Sequence, residues 1–174
     1  MAQILANLIV ARNGMTSLRG SSRPLSTPED REKFHSLRKG ASAIAIGGST
    51  FRSEPYANLQ IPLFVATRQL STEVGADQSE VRSQSRVRFY DLSPLELLRV
   101  ASREVEGAIL IEGGVNFLRG LIPAQVIDKI YISRVDQDGD DYLFDQDALR
   151  SNYRLVSTEK INNTNFEIWE PRRE

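Results

Sequence analysis

The sequence predicts an α/β domain with a mainly parallel mixed sheet, helices on both faces of the sheet and a C-terminal antiparallel hairpin. Three observations support this fold class. Short apolar runs alternate with helical patterns through most of the chain, which is typical of parallel strands joined by helices. Two of those runs end directly in a glycine pair. Near the C-terminus, two strand-like segments flank the turn-forming residues 162–165 with no helix between them.

The first predicted elements are a buried strand and a loop. Residues 4–10 are almost wholly apolar, and the turn dipeptide Asn13-Gly14 follows them. Residues 17–26 are rich in glycine, serine and arginine, so we expect them to form a loop.

A helix is predicted after this loop. Thr27 can cap it, and Pro28 suits its first position. We expect the helix to run to Lys39 and to turn Phe34 and Leu37 toward the interior.

Three further apolar segments predict strands in the middle of the chain. Residues 41–46 lead directly into the glycine-rich segment 47–50, and residues 63–66 form a second short run. The polar stretch 71–85 indicates a loop, and residues 87–90 indicate another strand.

The second half of the chain repeats this alternation before it ends in the hairpin. Ser93-Pro94-Leu95-Glu96 has the pattern of a capping box and predicts a helix to about Glu106. The later predicted elements are a strand at 108–111, a helix from Gly113 that ends before Pro123, a strand at 126–135, an acidic loop at 136–141, and hairpin strands at 152–160 and 166–170.

Length and composition limit the possible classes of protein. A chain of 174 residues with 40% hydrophobic and 26% charged residues fits a single domain, which we expect to span residues 1–174. The formal net charge of −1 gives no general attraction for nucleic acid. Cysteine is absent and His35 is the only histidine, which argues against a metal site. No apolar run approaches the ~20 residues of a membrane span, and the N-terminus lacks a signal-peptide pattern, so we expect a cytoplasmic protein.

Gly113 and Gly114 are the most informative candidate functional residues. They separate an apolar strand from a predicted helix, where glycine lets the backbone approach a phosphate-bearing ligand closely. A tight turn without function explains the pair about equally well. Glu112 precedes them at a strand end, where a carboxylate either meets a ligand or orders the loop.

Two other strand ends carry residues that suit a nucleotide. Ser49 and Thr50 follow Gly48 with hydroxyl groups that can bind phosphate. Thr67-Arg68 follows the third strand, and an arginine there could bind a 2′-phosphate and favour NADPH over NADH. Taken alone, Arg68 is better explained as an ordinary surface residue.

Two other features favour structural interpretations. The acidic run from Asp136 to Asp141 resembles half of a calcium loop but lacks its final glutamate, so a solvated loop is the better interpretation. We interpret His35 as a residue on a helix surface.

Together, these motifs resemble the reductase domain of the bifunctional deaminase-reductase of riboflavin biosynthesis, a member of the dihydrofolate-reductase-like superfamily. The motifs that carry the resemblance are Asn13-Gly14, the segments 25–30 and 43–50, Leu37-Arg38 and the segment 110–114. The resemblance extends from about residue 4 to residue 170. It implies a dihydrofolate-reductase-like three-layer fold, a homodimer, and an NADPH-dependent reduction of a phosphoribosylamino-pyrimidinone at the ribosyl C1. Because no cysteine is left for a zinc deaminase, it also implies a standalone reductase.

The resemblance further implies roles for individual residues, although it assigns no catalytic residue and no metal ligand. The implied substrate-binding residues are Asn13, Ser22, Arg38 and Glu112. The implied cofactor-binding residues are Gly48, Thr50, Glu54, Thr67, Arg68, Gly113, Gly114, Val115, Asn116 and Phe117.

Two departures from the family pattern leave other functions open. Asn13 stands where family members have aspartate, and no arginine follows Pro55 until Arg68. Alternative hypotheses are therefore a reductase of a different small substrate, a nucleotide-binding protein without turnover, and a dimeric interaction domain that keeps only the fold.

Overall fold

The strands and helices were assigned in a computed structural model, which describes residues 2–68 and 86–173. The strands are β1 (Gln3–Val10), β2 (Met15–Ser17), β3 (Ala43–Gly47), β4 (Leu63–Ala66), β5 (Val87–Tyr90), β6 (Ala108–Glu112), β7 (Lys129–Val135), β8 (Asp141–Leu143), β9 (Tyr153–Ile161) and β10 (Thr164–Pro171). The helices are α1 (Pro28–Gly40), α2 (Gly48–Ser53), α3 (Pro94–Glu104), α4 (Val115–Arg119) and α5 (Gln146–Asn152), with a 3₁₀ turn at Arg23–Leu25.

The main sheet has eight strands in the order β5-β4-β3-β6-β1-β7-β10-β9. The first six of these are mutually parallel, whereas β10 runs antiparallel to both β7 and β9. A separate two-stranded ribbon pairs β2 with β8. This arrangement confirms the predicted fold class, including the C-terminal hairpin.

Helices pack on both faces of the sheet because its central strands are apolar on both sides. In β3, Ala43 and Ala45 belong to the large core beneath α3, α4 and α5. The alternate residues Ile44 and Ile46 belong to a smaller cluster on the opposite face, where Phe51 of α2 packs. The parallel strands therefore form the central layer of three.

Two helix starts confirm their predicted caps. Glu96 N–H donates to Ser93 Oγ at 3.4 Å, and Ser93 N–H donates to Glu96 Oε2 at 2.9 Å, which completes the capping box of α3. At α1, Asp30 N–H donates to Thr27 Oγ1 at 3.2 Å.

Several predicted boundaries differ from the structure. The segment 126–128 is not part of β7, because Asp128 instead accepts the Ile4 N–H at 2.9 Å beside the strand. The start of the predicted hairpin, residue 152, lies in α5, a helix capped by Asp145 through the Ala148 N–H at 2.9 Å. The short helix α2 was not predicted. The predicted loop at 71–85 lies outside the described residues.

Helix α1 also differs from its predicted packing. None of its residues is fully buried, and Phe34 and Leu37 are only half-buried. The reason is that one side of α1 lines an open cavity instead of packing closely onto the sheet.

Within the described part of the chain, no helix is both long enough and apolar enough to cross a membrane.

Candidate functional site

A cavity of about 390 Å³ lies beyond the carboxyl ends of the central parallel strands. This is the position where ligands bind in open α/β sheets. Its walls come from the end of β6 and the start of α4, from α2, from one side of α1, and from the loop that precedes α1. The lining residues used below are Asn7, Ser17, Ser21, Ser22, Arg23, Ser26, Asp30, Arg31, Phe34, His35, Arg38, Ser49, Thr50, Glu54, Tyr56, Glu112, Gly113, Gly114, Val115, Asn116, Asp141 and Tyr142.

The glycine pair after β6 has a backbone that requires glycine. Gly113 and Gly114 have φ values of +65° and +79°, a region that L side chains rarely adopt. A Cβ atom on Gly114 would lie 2.9 Å from Thr50 Oγ1, so a side chain there would have to displace Thr50. A Cβ on Gly113 would meet nothing within 4 Å, so backbone borders open space there.

Arg38 and Glu112 form an ion pair in the cavity wall. Arg38 Nε donates to Glu112 Oε1 at 2.7 Å, and Arg38 Nη2 donates to Oε2 at 2.5 Å. The Glu112 side chain is only 3% exposed and that of Arg38 26%. Phe34 and Tyr56 also lie against the guanidinium, with ring centroids 4.5 and 5.5 Å from its carbon. The pair is therefore held in one orientation by a bidentate bond and two aromatic rings.

Tyr56 is a cavity residue that the sequence analysis missed. It is 9% exposed, its ring stacks on Phe51 at 6.4 Å, and its hydroxyl interacts with Glu112. Burial, and next the negative charge of Glu112, raise the pKa of Tyr56 well above its ordinary value. The hydroxyl thus stays protonated and donates toward the carboxylate. The only sequence signal was a tyrosine directly after Pro55, which alone gives no reason to expect a site.

Glu54 joins α2 to the loop that precedes α1. Its Oε1 accepts hydrogen bonds from Ser21 Oγ at 3.0 Å, Ser22 N–H at 3.0 Å and Ser22 Oγ at 2.9 Å. This one carboxylate oxygen therefore holds the loop that precedes α1 against the end of α2. It joins Glu54, which the resemblance assigned to the cofactor, to Ser22, which the resemblance assigned to the substrate.

Residues 4–165 match the family described as the RibD C-terminal domain. This chain belongs to the RibD C-terminal domain family. A crystal structure of a candidate riboflavin biosynthesis protein from Shewanella sp. PV-4 is similar over 99% of this chain and 100% of that chain, with a TM-score of 0.72 and 16% sequence identity. This likeness shows a shared fold. No curated protein matches the sequence.

Membership of the RibD C-terminal domain family confirms the resemblance found in the sequence. It supports an oxidoreductase role in riboflavin biosynthesis. The cavity brings together many of the residues that the family resemblance singled out: Ser22, Arg38, Thr50, Glu54, Glu112, Gly113, Gly114, Val115 and Asn116.

Asn13 does not line this cavity of the RibD-type domain. Its Nδ2 donates to Gly139 O at 2.8 Å, and its Oδ1 accepts the Gly139 N–H at 3.1 Å. Both polar atoms of the side chain thus hold the acidic segment in place, so the described contacts of Asn13 are structural.

The acidic segment forms a loop over residues 136–140 with its carboxylates exposed, as predicted, and Asp141 begins strand β8. Arg12 bonds Asp136 and Asp138, each at 3.1 Å. The hydrogen bond from Arg12 lowers the pKa of Asp138. Because a guanidinium and the backbone engage these carboxylates, this segment supports the ribbon of β2 and β8.

The other predicted cofactor residues lie outside the cavity lining. Thr67 is buried after β4, where its N–H donates to Tyr90 O at 2.9 Å, and Arg68 is exposed. Gly48 is buried at the start of α2, and Phe117 belongs to the core.

His35 lies on the surface of α1, as predicted, but it also lines the cavity. It contacts Phe34 edge to face at 5.6 Å. The sequence did not predict that His35 lines a cavity, because helix periodicity separates buried from exposed positions and does not show which exposed positions face a cavity.

Two buried polar atoms in the cavity wall lack a hydrogen-bond partner among the described residues. They are Asn7 Oδ1 and Ser17 Oγ. Such unsatisfied atoms cost stability in a folded protein and are more often tolerated where function requires them.

Proposed function

We propose that this protein is a reductase that uses NADPH to reduce the ribosyl group of a ribosylamino-pyrimidine at its C1 carbon. The proposal rests on one observation: Gly113-Gly114, Thr50 and the Arg38–Glu112 pair lie together in the wall of the cavity. These groups, which the family resemblance divides between cofactor and substrate, border one cavity of about 390 Å³. One cavity with both sets of groups suits transfer between two bound molecules.

The residues after β6 fit the phosphate groups of a dinucleotide. Gly113 presents backbone to open space, and the first N–H groups of α4 have no acceptor within the helix. Thr50 adds a hydroxyl beside Gly114. Gly113, Gly114, Val115, Asn116 and Thr50 would therefore hold NADPH, which supplies a hydride when it is bound.

The opposite wall supports the binding of the organic substrate. Arg38 is fixed by Glu112 and by two rings, so it can orient a polar group of the substrate without reorganising. The substrate would react as its ring-opened imine, whose C1 accepts the hydride from NADPH while its nitrogen takes a proton from water. Because the Tyr56 hydroxyl interacts with Glu112, it helps to orient the ion pair.

Selectivity for NADPH over NADH would come from Arg68. This exposed guanidinium follows β4, two strands from β6 in the sheet, and it would bind the 2′-phosphate. Arg68→Ala should lower the preference for NADPH about tenfold. Arg103→Ala removes an exposed arginine from α3 and serves as the matched control. An unchanged preference in Arg68→Ala would remove this assignment.

The reaction is tested with purified protein, NADPH and the ribosylamino-pyrimidine. We expect oxidation of NADPH together with a product heavier than the substrate by two hydrogens. Binding of NADPH without any product would instead favour a nucleotide-binding protein without turnover. The homodimer and the cytoplasmic location stay predictions, and sedimentation and fractionation of cells test them.

A further inference from the structure

The aromatic side chains that line the cavity differ in their ring contacts. Phe34 and Tyr56 lie against the Arg38 guanidinium, and His35 contacts Phe34. Tyr142 also belongs to the lining and is 42% exposed, but its ring meets no other ring and no cation among the described residues. The Tyr142 ring is therefore an aromatic surface that a ligand can cover.

The backbone at Tyr142 is held in a conformation that bulky L residues rarely adopt. Its φ of +58° lies in the left-handed region. Thr16 Oγ1 donates to Tyr142 O at 2.8 Å, and Tyr142 N–H donates to Asp141 Oδ1 at 2.7 Å. Such strain persists where surrounding contacts enforce it, and it concentrates at ligand sites. The strain at Tyr142 thus supports a role for the ring that it positions.

The ribbon of β2 and β8 also presents a polar atom without a partner to the cavity. Ser17 lies opposite Asp141 in the ribbon and lines the cavity. It is only 6% exposed, and its Oγ makes no hydrogen bond within the described part of the chain. A buried hydroxyl in this state is unfavourable unless a ligand supplies the missing partner. The ribbon therefore combines an uncovered ring with an unsatisfied hydroxyl.

The position of the ribbon favours the substrate over the cofactor. Strand β2 follows β1 directly, and Ala11 N–H donates to Met15 O at 2.8 Å, which holds the ribbon at the end of β1. In the sheet, β1 lies on one side of β6, and β3 lies on the other. The proposed phosphate-binding groups, Gly113-Gly114 after β6 and Thr50 after β3, are on the side away from the ribbon.

We propose that the ribbon binds the heterocycle of the substrate, an inference that rests on the proposed function. The pyrimidine ring stacks on the Tyr142 side chain, and Ser17 Oγ forms a hydrogen bond with a polar atom at the edge of that ring. A flat ring with polar edge atoms fits both features, because a hydroxyl can either donate or accept. Tyr142 is then a specificity-determining residue for the organic substrate.

The experiment measures KM for the ribosylamino-pyrimidine and Kd for NADPH in the wild type and in Tyr142→Ala. Loss of the ring should raise KM about tenfold, the scale of a base stacked on an aromatic side chain, and leave Kd unchanged. Tyr142→Phe keeps the ring and should restore the wild-type KM. Leu143→Ala is the matched control, since it removes an exposed apolar side chain from the same strand outside the cavity lining, and it should change neither constant.

Two further variants separate binding of the ligand from folding. Tyr142→Gly adopts the positive φ without strain, so it should unfold at a higher temperature than Tyr142→Ala while KM stays equally raised. Ser17→Ala removes the unsatisfied hydroxyl, so it should raise KM without lowering the unfolding temperature. Recovery of KM in the more stable glycine variant would show that the ring serves the fold, which would overturn the inference.

The remaining outcomes distinguish this inference from the proposed function. A raised Kd for NADPH with an unchanged KM would assign the ring to the cofactor and overturn the inference, while the reductase would stand. If the wild type oxidises no NADPH, the proposed function fails, and equilibrium dialysis of the ribosylamino-pyrimidine decides the inference separately. Weaker binding to Tyr142→Ala than to the wild type would then support it, and equal binding or no binding would overturn it.

Discussion

The ends of β3 and β6 look alike in sequence but differ in structure. Both strands are apolar, both end in a glycine pair, and they lie side by side in the sheet. Gly47, the last residue of β3, has an ordinary φ of −87°, and a Cβ there would sit 3.7 Å from Phe117 Cδ2, a normal contact. Gly113 and Gly114, after β6, both have positive φ values.

The difference shows that glycine is needed at one strand end and only tolerated at the other. The two ends are nevertheless connected, because Thr50 from α2 fills the space that Gly114 leaves open. The end of β6 also carries Glu112 and its ion pair, whereas the end of β3 carries no charged residue until Arg52. We therefore expect substitutions after β6 to cost far more than substitutions after β3.

The largest effect should come from breaking the ion pair at the end of β6. Arg38→Met leaves the Glu112 carboxylate buried without its partner, which should lower the free energy of unfolding by about 3–5 kcal/mol. Chemical denaturation measures this loss.

The double variant Arg38→Met/Glu112→Gln is the control for charge. With no unpaired charge left, it should recover more than half of the lost stability. Equal stability of the single and the double variant would show that Glu112 does not depend on Arg38.

Gly114→Ala should have the second largest effect. A positive φ and a Cβ 2.9 Å from Thr50 Oγ1 together should cost about 2 kcal/mol of stability, and the shift should weaken NADPH binding. Gly113→Ala shares the positive φ but meets no atom within 4 Å, so it should destabilise less in the same thermal unfolding assay. Equal losses would mean that the contact with Thr50 has no energetic role.

Tyr56→Phe should change how stability depends on alkaline pH. Burial and the charge of Glu112 raise the pKa of Tyr56 in the folded protein, so its contribution to stability is complete below about pH 10 and is lost as the pH rises further. The wild type should therefore lose stability above pH 10 faster than the variant, by about 1.4 kcal/mol per pH unit.

Tyr153→Phe is the comparison at a site away from the cavity. Burial raises the pKa of Tyr153 to about 12, so its contribution is lost between about pH 10 and pH 12. Both variants should flatten the alkaline part of the stability curve, and only Tyr56→Phe should also alter substrate binding. A curve in Tyr56→Phe as steep as that of the wild type would contradict the raised pKa of the buried Tyr56 hydroxyl.

Gly47→Ala should have the smallest effect. The methyl group finds an ordinary contact, and alanine restricts the unfolded chain, so stability should change by less than about 1 kcal/mol. Thermal unfolding beside Gly114→Ala checks this directly. A loss as large as that of Gly114→Ala would remove the distinction between the two strand ends.

The fold could be predicted because its signals are local. The alternation of apolar strands with capped helices gave the parallel sheet, and Ser93 with Glu96 gave the start of α3. The ribbon of β2 and β8 was missed because it pairs residues that are far apart in the chain, such as Met15 with Leu143. Helix α5 was missed although Asp145 caps it locally.

The site could be predicted only in part for the same reason. The glycine pair and Glu112 are recognisable because they follow a strand directly. Tyr56 and the bonds from Ser21 and Ser22 to Glu54 depend on how the loop before α1 folds over α2. Asn13, which the family resemblance assigns to the substrate, bonds Gly139 here, a contact that no feature of the sequence predicts.

The most direct test of the reductase assignment is a titration of the folded wild type and of Gly114→Ala with NADPH, and with NADH in parallel. We predict saturable binding of NADPH that is tighter than binding of NADH and about tenfold weaker in Gly114→Ala. Failure of the folded wild type to bind either dinucleotide would contradict the assignment of the β6 end to a cofactor.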